Sequence, residues 1–134
     1  MREIYTFGVK TAQLNAMVNI TSEINKAIRE SGVKSGICVV FVPHTTAGIT
    51  VNENADPDVV RDFIMDMNKI IPKNDDHRRA GGNSSVHTRT SLTGCSLTLI
   101  VDEGRLLLGT WQGIYFMEFD GPGIRKVHVK IIEG

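Results

Sequence analysis

Between Pro43 and Asp58 the chain reads Pro-His-Thr-Thr-Ala-Gly-Ile-Thr-Val-Asn-Glu-Asn-Ala-Asp-Pro-Asp. This segment sets an imidazole (His44), two hydroxyls (Thr45, Thr46), an amide–carboxylate–amide triplet (Asn52, Glu53, Asn54) and two further carboxylates (Asp56, Asp58) behind the apolar run Ile37–Val42. Polar groups at the mouth of an apolar core must be hydrogen-bonded or face a cavity. Their types therefore predict a pocket able to move protons and to hold an anion or a metal.

Two more histidines, His77 and His87, lie in and just after a polar stretch further along. Three neutral imidazoles with an open position make the donor set of a zinc site. The spacing 44/77/87 matches no established metal motif, and each ring taken singly has a structural hydrogen-bonding role as its alternative. The expectation is that the three form one cluster, drawing on two subunits. His128 alternates with Val127 and Val129 and is expected to point away from them, at the surface.

Glu53 is a general base if burial raises its pKa, and otherwise a strand-end carboxylate bonded to the backbone that follows. Asp56 and Asp58 are explained by a helix start. The stretch Asp75–Ser85 joins Arg78 and Arg79 to glycine amides and Asn83, a set that can hold a phosphate. It matches no P-loop, and a surface loop is the equal alternative. Gly109 and Gly113 flank Thr110-Trp111-Gln112, which reads either as close approach of a ligand or backbone or as a packed core tryptophan.

These side chains need elements to carry them. Glu3–Lys10 reads as a strand and Val18–Ser31 as a helix, with Thr21 or Ser22 as N-cap and Gly32 past its end. Gly36–Val42 and Thr46–Asn52 read as strands. Asp56-Pro57-Asp58 caps a helix that runs to Ile70 and stops before Pro72. Lys73–Ser85 is a polar loop, and a short helix capped by Asn83 ends at Gly94. Ser96–Val101, Leu106–Phe119 and Lys126–Ile132 complete the strands, with turns at Asp102–Arg105 and Asp120–Gly123. Strands bunched after two main helices predict an α+β fold with a largely antiparallel sheet.

The 134 residues fit one domain, 1–134, and 15 basic residues balance 15 acidic ones. That balance argues against nucleic-acid binding. Cys38 and Cys95 read as small core residues with no disulfide framework. The first residues carry no signal-peptide pattern and no apolar run reaches membrane-spanning length, so a cytoplasmic location without membrane contact is expected. Apolar and aromatic residues on both faces of Ile114–Phe119 predict a partner subunit over one of them.

Taken in order, Pro43–Ala47, Asn52–Asp58, Gly81–Ser84 with His87, Gly104–Leu106, Leu108–Ile114 and Glu118–Pro122 resemble the YjbQ-like family, whose members are often labelled secondary thiamine-phosphate synthase. The resemblance covers almost the whole chain. It implies an α+β sandwich assembled as a homotrimer, with a histidine pocket close to subunit contacts. Carried onto this sequence, it implies catalytic roles for His44, Glu53, His77 and His87. It implies substrate contacts from Thr45, Asn52, Arg78, Arg79, Asn83, Trp111, Gln112 and Glu118, with Asp56 among the recurring polar positions.

The implied reaction joins a pyrimidine pyrophosphate to a thiazole phosphate. The partner is then a small phosphorylated metabolite, with Mg²⁺ or Zn²⁺ (the latter on His44, His77 and His87) and no organic cofactor. A three-histidine metal-dependent hydrolase and a non-catalytic trimeric ligand-binding protein are the alternatives. Gly123 stands where relatives usually carry arginine after Gly-Pro, which leaves Arg125 as the nearby cation. Ser85 stands where many relatives carry a further histidine.

Overall fold

The computed structural model describes residues 1–72 and 84–134. Its strands are β1 (Tyr5–Thr11), β2 (Ala16–Asn19), β3 (Gly36–Phe41), β4 (Ala47–Glu53), β5 (Ser96–Asp102), β6 (Arg105–Leu106), β7 (Gln112–Glu118) and β8 (Gly123–Glu133). Its helices are α1 (Thr21–Ser31), α2 (Pro57–Ile70) and α3 (Ser84–Thr93). The fold is α+β and every strand pairing is antiparallel.

Five strands form one sheet in the order β1-β8-β3-β5-β6, and three form a second in the order β2-β7-β4. The main core lies between them. Val9, Cys38, Val40, Val127 and Val129 from the larger sheet meet Ile49, Ile114 and Phe116 from the smaller, and Ile24, Ala27 and Ile28 of α1 close the gap. The other face of the smaller sheet carries Tyr115, Met117 and Phe119, which pack against Met67 of α2 and Val86 of α3. The two apolar faces of β7 are thus both covered within one chain. The layer over the second face is supplied by α2 and α3, so these two faces do not by themselves call for a partner subunit.

Local chemistry accounts for most element ends. The Asp56 carboxylate accepts the Asp58 N–H at 2.9 Å, with Pro57 in the first turn of α2. Glu103 (φ 52) and Gly104 (φ 77) make the tight turn between β5 and β6, where consecutive positive φ values match the twist of the flanking strands.

Two expected elements differ. Val18 belongs to β2, opposite Phe116, and α1 begins only at Thr21. Neither Thr21 nor Ser22 caps it. Instead the Asn19 side chain accepts the Thr21 N–H at 3.0 Å, while the Thr21 hydroxyl accepts the Ile114 N–H at 2.9 Å. The single strand expected over Leu106–Phe119 is two, because β6 belongs to one sheet and β7 to the other. The crossing between them turns at Gly109, whose N–H donates to the Gln112 side chain at 2.8 Å and whose C=O accepts the Gln112 N–H at 3.1 Å.

Candidate functional site: a histidine-lined cleft

The cleft is built where β3 gives way to β4. Val42 leaves the sheet by donating its N–H to the Cys95 carbonyl at 2.8 Å, and Pro43 has no N–H to continue the ladder. Phe41 pairs with His128, so two residues on, Pro43 falls opposite Lys126. The Lys126 N–H finds its acceptor in a side chain, His44 Nε2 at 3.0 Å. An N–H can bond only an unprotonated ring nitrogen. His44 is therefore neutral, with its proton on Nδ1.

Its ring stands edge-on to Phe116 at 6.4 Å and 80°. Burial lowers the His44 pKa below its ordinary 6.5, helped by the positive charge of Arg125 and opposed by Glu118.

Across the opening lies α3. Its sequence, Ser-Ser-Val-His-Thr-Arg-Thr-Ser-Leu-Thr, is a poor helix former, so packing must hold it. Gly48 lets the end of α3 press on β4. A Cβ there would lie 2.6 Å from the Gly94 oxygen, and that oxygen accepts the Ile49 N–H at 3.0 Å. On the far side the buried Arg89 guanidinium donates twice to the Ile71 carbonyl, at 3.1 and 2.6 Å, and once to Asn15 Oδ1 at 3.1 Å. A cation thus sits on the carbonyl end of α2, where the helix dipole favours it.

So anchored, α3 aims His87, Thr90, Ser91 and Gly94, at i, i+3, i+4 and i+7, along one face. The His87 Nδ1–H donates to the Thr45 carbonyl at 3.0 Å. With His44, Thr45 and Cys95 these residues line an opening of about 450 Å³, within the range of small-molecule sites.

Thr90, Ser91 and Cys95 were not anticipated from the sequence. The His87–Gly94 spacing was the available signal, and without an apolar periodicity it was silent. Cys95 corrects its expected core placement: it is exposed in the cleft, and only Cys38 is buried. Burial pushes the Cys38 thiol pKa up to about 11.

The remaining expected site residues divide. His77, Arg78, Arg79 and Asn83 lie outside the described residues. Asn52, Glu53, Trp111 and Gln112 gather at the other end of β4, six residue rises from Ala47 and so roughly 20 Å along the strand. There the Asn52 side chain accepts the Glu53 N–H at 2.7 Å, the Tyr115 hydroxyl donates to the Glu53 carbonyl at 3.0 Å, and Gln112 serves the turn. Trp111 is 62% exposed, which corrects the expectation of a packed core ring. Glu118 is fully buried and hydrogen-bonded to Thr11, Arg125 and the Asp120 N–H, behind the cleft and not in it. His128 faces away from Val127 and Val129 as expected, bonded to Thr6 at 2.8 Å and stacked on Phe41.

Among the described residues no three His, Cys, Asp or Glu side chains converge on a point that a metal ion can occupy. His44 as held has no lone pair to offer, since Nε2 is taken and Nδ1 is protonated. His77, the third implied ligand, lies outside the described residues, and no step is assigned to a metal. Nor is any helix among the described residues long and apolar enough to cross a membrane.

Fold and site together define a two-sheet α+β protein with a histidine-lined cleft where its sheets part. The chain belongs to the YjbQ family, described as UPF0047 protein YjbQ-like, whose model matches residues 5–134. It is 52% identical over 132 residues to a UPF0047 protein of Methanocaldococcus jannaschii, covering 98% of this chain and 96% of that protein. To YugU of Bacillus subtilis it is 44% identical over 128 residues, covering 95% and 97%. It superposes with a TM-score of 0.93 on the crystal structure of an uncharacterized conserved protein of the same family from Clostridium acetobutylicum, at 53% identity over 96% of this chain and 99% of that one. A hypothetical protein from Aeropyrum pernix gives a TM-score of 0.93 at 32% identity, covering 99% and 100%.

Proposed function

We propose that the cleft binds a small phosphorylated metabolite and that the chain has a weak activity of the thiamine-phosphate synthase type. In that reaction the thiazole nitrogen forms a bond to the pyrimidine methylene carbon while the bond from that carbon to the pyrophosphate oxygen breaks. The burden on the protein is to hold the leaving group and the two rings, with no covalent catalysis.

The observation that carries this reading is the pairing of a neutral His44, with Nδ1–H as its donor, and His87 in one opening lined by the hydroxyl-bearing Thr45, Thr90 and Ser91. His44 supplies a hydrogen bond to a leaving pyrophosphate oxygen, and the Thr45 and Ser91 hydroxyls supply further donors, that of Thr90 being spent on the Val86 carbonyl. Arg78 and Arg79 are proposed to grip phosphate, as the sequence implies.

Glu53 lies too far from the cleft to act there in one chain. The homotrimer implied by the resemblance is therefore proposed to bring the Glu53 end of one copy to the histidine end of another. One observation favours a second reading, a binding protein without turnover: His44 Nε2 is already spent on the backbone.

The test is calorimetry with the pyrimidine pyrophosphate, followed by mass-spectrometric detection of coupled product, on the wild type and His87→Ala. Product lost in the variant supports the synthase reading. Binding without product in the wild type supports the binding protein. No binding and no product would overturn both.

A further inference from the structure

Two of the helices are held by different means. α1 buries Ile24, Ala27 and Ile28, all in the main core. α3 has two apolar side chains, and only Val86 is buried, since Leu92 is 62% exposed. Its other buried residues are Ser85, Arg89 and Thr90. Apolar burial is the main force that docks a helix, and here it rests chiefly on Val86.

The hydroxyls do not replace it. Those of Thr88, Thr90 and Thr93 donate to the Ser84, Val86 and Arg89 carbonyls, at 3.1, 3.0 and 2.9 Å, within the helix itself. Three bonds to the body come from Arg89, two to the Ile71 carbonyl and one to Asn15 Oδ1, and both partners are neutral. Among the described residues no carboxylate pairs with this guanidinium. His87 adds its bond to the Thr45 carbonyl.

At the far end Gly94 (φ 95) closes α3, lies against Gly48 and leads into β5. It has the backbone freedom that a hinge needs. The next residue is already fixed to the sheets, because the Cys95 carbonyl accepts the Val42 N–H.

We propose that α3 is a detachable wall of the cleft, latched by Arg89 and hinged at Gly94, which undocks as a unit while both sheets stay folded. Undocking carries away His87, Thr90 and Ser91 and leaves His44, Thr45 and Cys95 on the body. The cleft is complete only in the latched state, so the latched fraction scales any affinity measured for it. The wall behaves in this way whichever ligand the cleft takes.

Native-state hydrogen exchange in low guanidinium chloride, read by NMR at single amides, tests it. In the wild type the amides from Thr88 to Thr93 exchange through an opening with little denaturant dependence. Those of the central strands β3, β7 and β8 need global unfolding and depend on denaturant steeply. Val127 lies in the core between the sheets, apart from the cluster that Val86 joins. Val127→Ala therefore weakens the latched and undocked states alike, speeding exchange in the strands and leaving α3 unchanged. Arg89→Ala speeds α3 by about tenfold or more, although alanine is the better helix former. Asn15→Ala removes one of the three bonds and speeds α3 by less. Equal opening energies and slopes for α3 and the strands would overturn the proposal, as would α3 exchange that rises with the strands in Val127→Ala. An Arg89→Ala protein whose α3 exchanges at the wild-type rate does the same. If Arg89→Ala does not fold, an unchanged rate in Asn15→Ala takes its place.

Discussion

The two ends of β4 carry the chain's densest polar chemistry and are built on opposite plans. At the His44 end, His44 and His87 each bond the backbone at the wall of an open cleft, with a buried ion pair behind it. At the Glu53 end, amides and hydroxyls are spent on turns and backbone, and Trp111 stands exposed. One end leaves polar side chains around an open cleft. The other is organised to hold its own shape and to present a surface. Similar residue types in one motif therefore take different jobs, because what decides the job is which polar atoms remain after the backbone is satisfied.

The sharpest break between the ends is expected in stability. Arg125→Met strands the buried Glu118 carboxylate, a change that typically costs about 3–5 kcal/mol. Glu53→Gln keeps volume and removes no hydrogen bond assigned to its carboxylate, so it should stay within about 0.5 kcal/mol of the wild type. Denaturant titration of both variants separates them. Equal losses would show that the ends are supported alike.

A smaller contrast lies within the Glu53 end. Asp56→Ala removes the cap of α2 at a cost of about 0.5–2 kcal/mol. Tyr115→Phe removes one hydroxyl bond to the Glu53 carbonyl, worth about 0.5–1.5 kcal/mol. Melting curves that reverse this order would place Tyr115 at the centre of that end.

Much of this was legible in the sequence. Asp56-Pro57-Asp58 states a helix start outright, and Glu103-Gly104 states a hairpin, since cap and turn chemistry act over three or four residues. The alternation of Ile49 and Val51 also marked β4. Where the structure departs from the local pattern, the cause is long-range pairing. Val18 was drawn from helix to strand by Phe116, and the crossing at Gly109 depends on two sheets that a local pattern cannot distinguish. At the site, the sequence reads His44, His77 and His87 as one cluster; the structure lines one cleft with His44 and His87, while His77 lies outside the described residues. The distance to Glu53 was not legible, because nearness in sequence along a strand is separation in space. The exposure of Cys95 is not legible because its neighbour Gly94 closes a helix whose buried face is Ser85, Val86, Arg89 and Thr90, a face with almost no apolar signal.

The smallest expected effect concerns pH, and it belongs to the histidine end alone. His44 titrates below its ordinary 6.5 in the folded chain, chiefly through burial and then through Arg125. The unfolded chain therefore binds the proton more readily, and stability rises with pH across the interval between the two pKa values. The contribution is fully present above 6.5 and is lost as pH falls through the folded value. His44→Gln keeps an oxygen able to accept the Lys126 N–H and removes the titration. Its melting temperature should accordingly fall less steeply than that of the wild type as pH is lowered from above 6.5, while Glu53→Gln follows the wild-type curve through the same interval. Parallel curves for His44→Gln and the wild type would mean that the ring is as easily protonated in the cleft as in water. The bond between Lys126 and Nε2 would then hold nothing in place.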